Sequence, residues 1–188
     1  YFGTKTCFKS VRAAKFAAEM AWQACLNGDR VGGMMLKDNQ ISVVKPQGQK
    51  RGLLPFLSKL ANLSETPSQY FSDPEKILTS LKQHVLRGAL VYFISDYEGY
   101  SSKFEDTLSA IRRQHELRLV CCYDPFEAEV PAPAVYSCLA NDNLAQLDLK
   151  SKAMRDKFSA AHSEKLDQLK RFSLQHGCEF VQLVSEII

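Results

Sequence analysis

The sequence predicts a doubly wound α/β fold, in which helices cover both faces of a mostly parallel sheet. Two continuous apolar runs, residues 89–95 (ALVYFIS) and 117–123 (LRLVCCY), have the composition of strands that are buried on both faces. Helical patterns lie between and around these runs. An alternation of helices with buried strands is typical of a parallel sheet with right-handed crossovers.

The clearest helix is predicted at residues 8–27. Its polar residues recur every three or four positions and form one narrow stripe, and the rest of its surface is apolar and includes Trp22. We therefore expect neighbouring elements to cover this helix on most sides. Gly28 directly after it suits the left-handed conformation that commonly ends a helix.

The same patterns predict the remaining elements. Helices are expected at residues 53–63, 73–86, 103–115 and 152–175. Strands are expected at residues 30–36 and 41–45, which a turn at 37–39 joins, at 179–183, and in an added β-hairpin at 134–149 that turns at 141–143. A chain of 188 residues can complete one core but is short for two, so residues 1–188 are expected to form one domain.

The composition argues against several classes of protein. The formal charge is only +3, whereas a nucleic-acid-binding surface normally has a strong, clustered basic excess. No cysteine pair has the C-x-x-C spacing of a zinc or redox site, and we interpret Cys25, Cys121 and Cys122 as small buried hydrophobic residues. No apolar stretch approaches the roughly 20 residues that span a bilayer.

The first residues indicate a piece of a longer protein. The chain opens with Tyr1 and has neither an initiator Met nor a signal peptide. We expect a cytoplasmic protein whose upstream part can carry a targeting signal or a membrane anchor.

Two aspartates stand where a parallel sheet commonly binds its ligands. Asp96 follows the first buried run and Asp124 follows the second. Ligands of open parallel sheets bind beyond the carboxyl ends of the strands, so both carboxylates can serve a metal ion or a basic partner. The alternative is that each aspartate caps the turn that follows it. The sequence leaves both interpretations open.

The motifs of several enzyme classes are missing. The sequence contains no G-x-x-x-x-G-K-[ST], G-x-G-x-x-G or G-x-S-x-G motif. Its four histidines fall mostly toward predicted helix ends, and no nucleophile with a matched base can be assigned. We therefore predict a protein that is not an enzyme. A metal-dependent hydrolase that uses the two aspartates remains an alternative.

Several short motifs in a fixed order resemble those of a known family. They are residues 1–5 (YFGTK), 9–11 (KSV), 28–32 (GDRVG), 94–96 (ISD), 123–127 (YDPFE) and 130–131 (VP). Together they resemble the domain of unknown function 58 family, which belongs to the von Willebrand factor A-like group. The resemblance covers essentially the whole chain and implies a Rossmann-like sheet.

The resemblance also implies a metal-ion-dependent adhesion site at the carboxyl edge of the sheet. Asp96 matches the aspartate of the fourth strand, and Ser72 falls where the family has a threonine. The D-x-S-x-S motif of such sites is expected upstream of Tyr1. The longer protein is therefore expected to bind Mg²⁺ or Mn²⁺, and this chain alone weakly or not at all. Tyr97, Glu98 and Asp124 are assigned to the partner-binding edge.

The function that the resemblance implies is a non-catalytic protein-interaction domain. Family members are commonly encoded beside AAA+ ATPases of the MoxR type, so the expected partner is such an ATPase, in the assembly or remodelling of protein complexes. A metal-free scaffold is a further alternative, besides the hydrolase.

The expected sheet order has a consequence for the edges of two strands. In the family the first strand lies between the strands predicted at residues 30–36 and 89–95. Without it, both strands would expose unpaired backbone groups. We predict that they pair with each other directly, or that the chain associates with another copy.

Overall fold

The structure, a computed structural model, describes residues 8–37, 40–65, 74–85, 87–129, 132–140 and 143–185. Its helices are α1 (Lys9–Leu26), α2 (Lys50–Glu65), α3 (Pro74–His84), α4 (Ser102–Arg112), α5 (Pro125–Ala128) and α6 (Lys152–His176). Its strands are β1 (Arg30–Lys37), β2 (Gln40–Gly48), β3 (Leu90–Ser95), β4 (Glu116–Tyr123), β5 (Val135–Ala140), β6 (Asn143–Asp148) and β7 (Glu179–Val184). The predicted order of elements is confirmed, with the short helix α5 as an addition. The centres of the two predicted hairpin turns, residues 38–39 and 141–142, lie outside the described residues, and so does Ser72.

The predicted parallel sheet is present and, in the part of the chain that the structure describes, has three strands in the order β3-β4-β7. One face of the central strand β4 presents Leu117, Leu119 and Cys121 to a core that α4 and α6 complete. The opposite face presents Val120 and Cys122, which α1 covers. Helices therefore lie on both faces, which is why the strand is apolar at consecutive positions and not at alternate ones.

Strands β1 and β2 form a separate antiparallel hairpin, which packs against α1 and α2 around a second core. The glycines within β1 allow this close packing. A side chain at Gly33 would collide with the ring of Phe56 from α2. Gly28, at the junction of α1 and β1, has a φ of +84°, which confirms the predicted left-handed conformation at that position.

The predicted hairpin near the end of the chain is confirmed as the antiparallel pair β5-β6. It is attached to the rest of the fold through Tyr136, whose ring packs edge-on against that of Phe126 with 4.7 Å between the ring centroids. Phe126 belongs to α5, so the hairpin contacts the segment that follows β4.

The ends of α6 are fixed by specific hydrogen bonds. The Ser151 hydroxyl caps its first turn by accepting a hydrogen bond from the backbone N–H of Met154, at 3.2 Å. At its other end, the Arg112 guanidinium of α4 donates to the carbonyl oxygens of His176 and Gly177. A cation beside the last carbonyl groups of a helix also interacts favourably with the helix dipole.

The predicted direct pairing of the two open strand edges is wrong. Within the described residues, β1 pairs with β2 and β3 pairs with β4, but β1 and β3 do not pair with each other. The carbonyl of Ala89 accepts a hydrogen bond from Glu116, so alternate residues of β3 direct their backbone groups toward β4. Leu90, Tyr92 and Ile94 direct theirs toward the other edge of β3, where no described strand pairs. Association with another copy stays a prediction.

Helix α1 is less covered than its sequence predicts. It contacts α2, β1 and the parallel sheet, yet Trp22 is 51% exposed and Leu26 is 67% exposed. Small residues such as Ala17 and Ala21 face the neighbouring elements and allow close approach, and Trp22 and Leu26 point to solvent. No helix in the described part of the chain is both long enough and apolar enough to cross a membrane.

We predict that Leu119→Ala lowers the free energy of unfolding by about 2–5 kcal/mol, because it leaves a cavity in the centre of β4. The matched control is Leu174→Ala, since Leu174 is 83% exposed and its truncation is expected to change stability by less than about 0.5 kcal/mol. Urea denaturation followed by circular dichroism measures both. Equal effects of the two substitutions would contradict the placement of β4 at the centre of the fold.

Candidate functional site

Asp96 lies at the carboxyl end of β3, as predicted, and its side chain is 41% exposed. One carboxylate oxygen accepts a hydrogen bond from the backbone N–H of Glu98, at 3.3 Å. The other lies 3.4 Å from Nζ of Lys9, the first residue of α1. The local turn and a helix from the beginning of the chain therefore fix the carboxylate together.

Tyr97 anchors this turn to the core. Its side chain is buried against Phe93 and Phe104, and its hydroxyl donates to the carbonyl of Phe93 at 2.8 Å. Its φ of +53° lies in the left-handed region, which costs a residue other than glycine about 1 kcal/mol. Burial of the aromatic ring offsets this cost, and Asp96 and Glu98 on either side are left at the surface.

Five charged side chains at this edge follow one another with alternating sign, and we call this set the charge ring. Its members, in order, are Asp96, Lys9, Glu127, Lys165 and Glu98. Lys9 Nζ lies 2.7 Å from Oε1 of Glu127, and Lys165 Nζ lies 3.9 Å from Oε2 of Glu127 and 3.7 Å from Oε2 of Glu98. The backbone turn from Asp96 to Glu98 closes the ring.

The members of the charge ring differ in their exposure to solvent. The side chains of Lys9, Glu127 and Lys165 are mostly buried, whereas that of Asp96 is 41% exposed and that of Glu98 is 72% exposed. Burial lowers the pKa of Lys9, but the negative charges of Asp96 and Glu127 outweigh it and hold the pKa above its ordinary value. Lys9 therefore stays charged, and the solvent-facing side of the ring consists of carboxylates.

His162 lies beneath the charge ring. Its side chain is 7% exposed, and Nδ1 is 4.0 Å from Oε2 of Glu127. Within the described structure neither ring nitrogen has a hydrogen-bond partner, and the ring packs on Tyr123 with 4.8 Å between centroids. Burial and then the charge of Lys165 lower the pKa of His162, although Glu127 opposes this shift. The imidazole is therefore neutral near pH 7.

Asp124 and Tyr97 lie beneath the predicted partner-binding edge and not on its surface. The Asp124 side chain is buried. Its oxygens accept hydrogen bonds from the N–H of Phe126, at 3.0 Å, and from the Ser185 hydroxyl, at 2.8 Å. Asp124 thus caps α5, which is one of the two roles that the sequence leaves open. Tyr97 is equally inaccessible, so Glu98 and Asp96 form the exposed part of this edge.

The adjacent Cys121 and Cys122 are buried, as the sequence predicted. Burial raises the pKa of both thiols to about 12. A thiol is nucleophilic as its thiolate, so these residues are inert at neutral pH and act as packing groups of the sheet.

A divalent cation does not fit the described residues by themselves. In the described ranges there is no group of three His, Cys, Asp and Glu side chains that could hold a metal ion. The group beside Asp96 is the Lys9 ammonium, a positive charge where a metal site needs oxygen ligands. Ser72 lies outside the described residues, so its assignment as a ligand stays a prediction.

Three members of the charge ring could not be predicted from the sequence, because they lie on separate elements. Lys9 begins α1, Glu127 lies on α5 and Lys165 lies on α6. One local signal was available: Lys165 follows His162 by three positions, which places both on the same face of a helix. The convergence of the three elements has no counterpart in residue spacing.

The fold and the site define an α/β protein with helices on both faces of a parallel sheet and a charged surface at its carboxyl edge. The family model described as "Protein of unknown function DUF58" matches residues 1–168. The chain belongs to this family, which confirms the family resemblance of its sequence motifs. No curated protein and no solved structure matches the chain.

We predict that the free energy of unfolding decreases as the pH falls from 7 to 5, in part because of His162. A histidine whose folded pKa lies below its ordinary 6.5 stabilises the fold above that value. The contribution is lost as the pH falls through the folded pKa, since unfolding then takes up a proton. His162→Gln should show a shallower decrease when urea unfolding is measured across this range.

His84→Gln is the control for this measurement, because it makes the same substitution at an exposed position of α3. His115, whose pKa burial also lowers, is retained in both variants and keeps part of the decrease. Identical slopes for wild type and His162→Gln would contradict a buried neutral imidazole.

Proposed function

We propose that this chain is a non-catalytic protein-interaction domain that binds its partner at the carboxyl edge of the parallel sheet. The observation that carries the proposal is the charge ring, in which Lys9, Glu127 and Lys165 are mostly buried and the carboxylates of Asp96 and Glu98 are exposed. Such an arrangement holds surface charges in fixed positions, which favours recognition of one partner orientation. The fold around it supports a von Willebrand factor A-like, Rossmann-like domain, since Asp96 follows a parallel strand that helices cover on both faces.

The ionisable groups at this edge favour a binding role over catalysis, because they are paired with one another or buried. The two lysines are each shared between two carboxylates. His162 is buried and neutral, and the Cys121 thiol is protonated at neutral pH. Catalysis by a nucleophile or a general base requires a group that is free to exchange protons with a substrate.

The partner that we propose is a cytoplasmic AAA+ ATPase of the MoxR type, which follows from the family resemblance. We further propose that binding does not require a metal held by the described residues, because Lys9 already supplies a positive charge beside Asp96. A Mg²⁺ or Mn²⁺ site of the adhesion type would need Ser72 and further oxygen ligands besides Asp96.

We predict that a nucleotide-free MoxR-type ATPase from the same genome binds this chain, as measured by calorimetry. Glu98→Lys should weaken the complex about tenfold, or about 1.4 kcal/mol, because it reverses one exposed charge at the edge. Glu19→Lys is the matched control, since Glu19 is exposed on α1 and does not belong to the charge ring. Absence of binding to the wild-type chain would refute the proposed partner, and equal affinities of the two variants would refute the proposed surface.

We predict weak or undetectable heat in a titration of the chain with MgCl₂ or MnCl₂, since the Lys9 ammonium lies beside Asp96. The comparison is with Asp96→Ala, for which the heats should be the same as for wild type. Strong binding that Asp96→Ala abolishes would overturn this expectation and favour the adhesion-type metal site.

A further inference from the structure

Helix α1 carries a row of side chains along its outer face, which we call the α1 stripe. Trp22 and Leu26 are 51% and 67% exposed, and Phe8, directly before the helix, is 46% exposed. The members follow one another at alternating intervals of four and three positions, which places them on one side of a helix. They are Phe8, Arg12, Lys15, Glu19, Trp22 and Leu26.

The apolar members of the α1 stripe lie outside both cores that α1 helps to form. Ala17 and Ala21 pack in the core of the β1-β2 hairpin, and Phe16 packs against the parallel sheet. Trp22 and Leu26 belong to neither core. They lie about one helical turn apart, so they form one apolar surface and not two isolated residues. An apolar surface with charged neighbours is typical of a site of protein interaction.

The charged members of the α1 stripe are not paired within the described part of the chain. Lys15 and Glu19 are exposed and Arg12 is half-buried. None of the three forms an ion pair with a described residue. Their charges can therefore pair with those of another molecule without breaking an ion pair of this one.

The order of the residues in the α1 stripe is complementary to itself when two copies of α1 run antiparallel. Members at equal distances on either side of residue 17 then face each other. Lys15 of one copy meets Glu19 of the other as an ion pair, and each such contact occurs twice about a two-fold axis.

The outer members match in the same register. Arg12 of one copy meets the indole ring of Trp22 of the other, a cation–π contact, and Phe8 meets Leu26, an apolar contact. No like charges face each other. In a parallel pair each charged residue would face its own equivalent, so the antiparallel arrangement is the favoured one.

We propose that the α1 stripe is the interface of a homodimer in which two α1 helices pack antiparallel. This inference goes beyond the proposed function, because it adds a second interaction surface that shares no residue with the charge ring. It also differs from association through the edge of β3. The interface has only six side chains from each copy, so we expect weak association, with a Kd on the order of 10–100 μM.

The first measurement is sedimentation velocity of the full chain at concentrations below and above this Kd. Fluorescence provides a second readout, because Trp22 is the single tryptophan of the chain and is half-exposed in the monomer. Its emission should shift to the blue as the dimer forms, with the same midpoint as the change in sedimentation.

The charge variants are Lys15→Glu and Glu19→Lys. Each makes like charges face each other twice in the homodimer, so each alone should associate roughly tenfold more weakly than wild type. In an equimolar mixture every charge of one variant faces an opposite charge of the other. The mixture should therefore associate about as strongly as wild type. Recovery of this kind cannot come from a change in folding, since neither chain is altered by mixing.

The apolar part of the interface is tested with Leu26→Ala, and Leu174→Ala is the matched control. Both leucines lie near the end of a helix and are exposed, at 67% and 83%, so neither truncation should disturb the fold. Leu26→Ala removes an apolar contact that occurs twice and should weaken association roughly tenfold. Leu174→Ala should associate as wild type does.

Three outcomes would overturn the inference: a monomer at every concentration, association that the single charge reversals leave unchanged, or a mixture that stays as weak as its components. The second outcome would place the interface elsewhere, such as at the edge of β3. Failure here is distinguishable from failure of the proposed function. Loss of self-association leaves the residues of the charge ring unchanged, so ATPase binding by the monomeric chain is measured separately.

Discussion

The contact between Lys9 and Glu127 is the interaction on which the arrangement of the carboxyl edge depends. Lys9 begins α1 and Glu127 lies on α5, directly after the central strand β4, so the pair joins two elements that are far apart in sequence. Removing two charges from water costs several kcal/mol for each ion unless good geometry compensates for it. Here the short contact is supported by Asp96 on one side and Lys165 on the other. Because each inner charge has neighbours of opposite sign, neither is left buried and uncompensated.

The position of this edge follows from the packing of the sheet below it. Strand β4 is apolar on both faces, so helices must cover it from both sides, and parallel strands bring their carboxyl ends to one edge. Helix α1 covers one face and α6 contributes to the other. The residues of these helices that reach the edge, Lys9 and Lys165, therefore meet above the same strand ends. A common kind of scaffold positions these side chains, and the function depends on the side chains and not on the fold alone.

Much of the fold around the edge could be predicted from the sequence, because it depends on local patterns of apolar residues. The runs at residues 89–95 and 117–123 are apolar at consecutive positions, a pattern that strands covered on both faces require. That pattern also located Asp96 at the sheet edge. The two roles available to Asp124 could not be separated, because the Ser185 hydroxyl that binds it follows 61 residues later in the chain. The exposure of Trp22 could not be predicted, because a helical pattern shows which residues are apolar but not how closely the neighbouring elements approach.

The left-handed conformation of Tyr97 has a consequence for how the edge can recognise another molecule. Since the aromatic ring is held in the core and the turn cannot relax without exposing it, the backbone at Asp96 and Glu98 keeps nearly the same position before and after an encounter. Association then loses little backbone conformational entropy on this side of the interface. More of the backbone ordering cost falls on the partner molecule, so differences in affinity among partners should reflect how rigid their binding segments are.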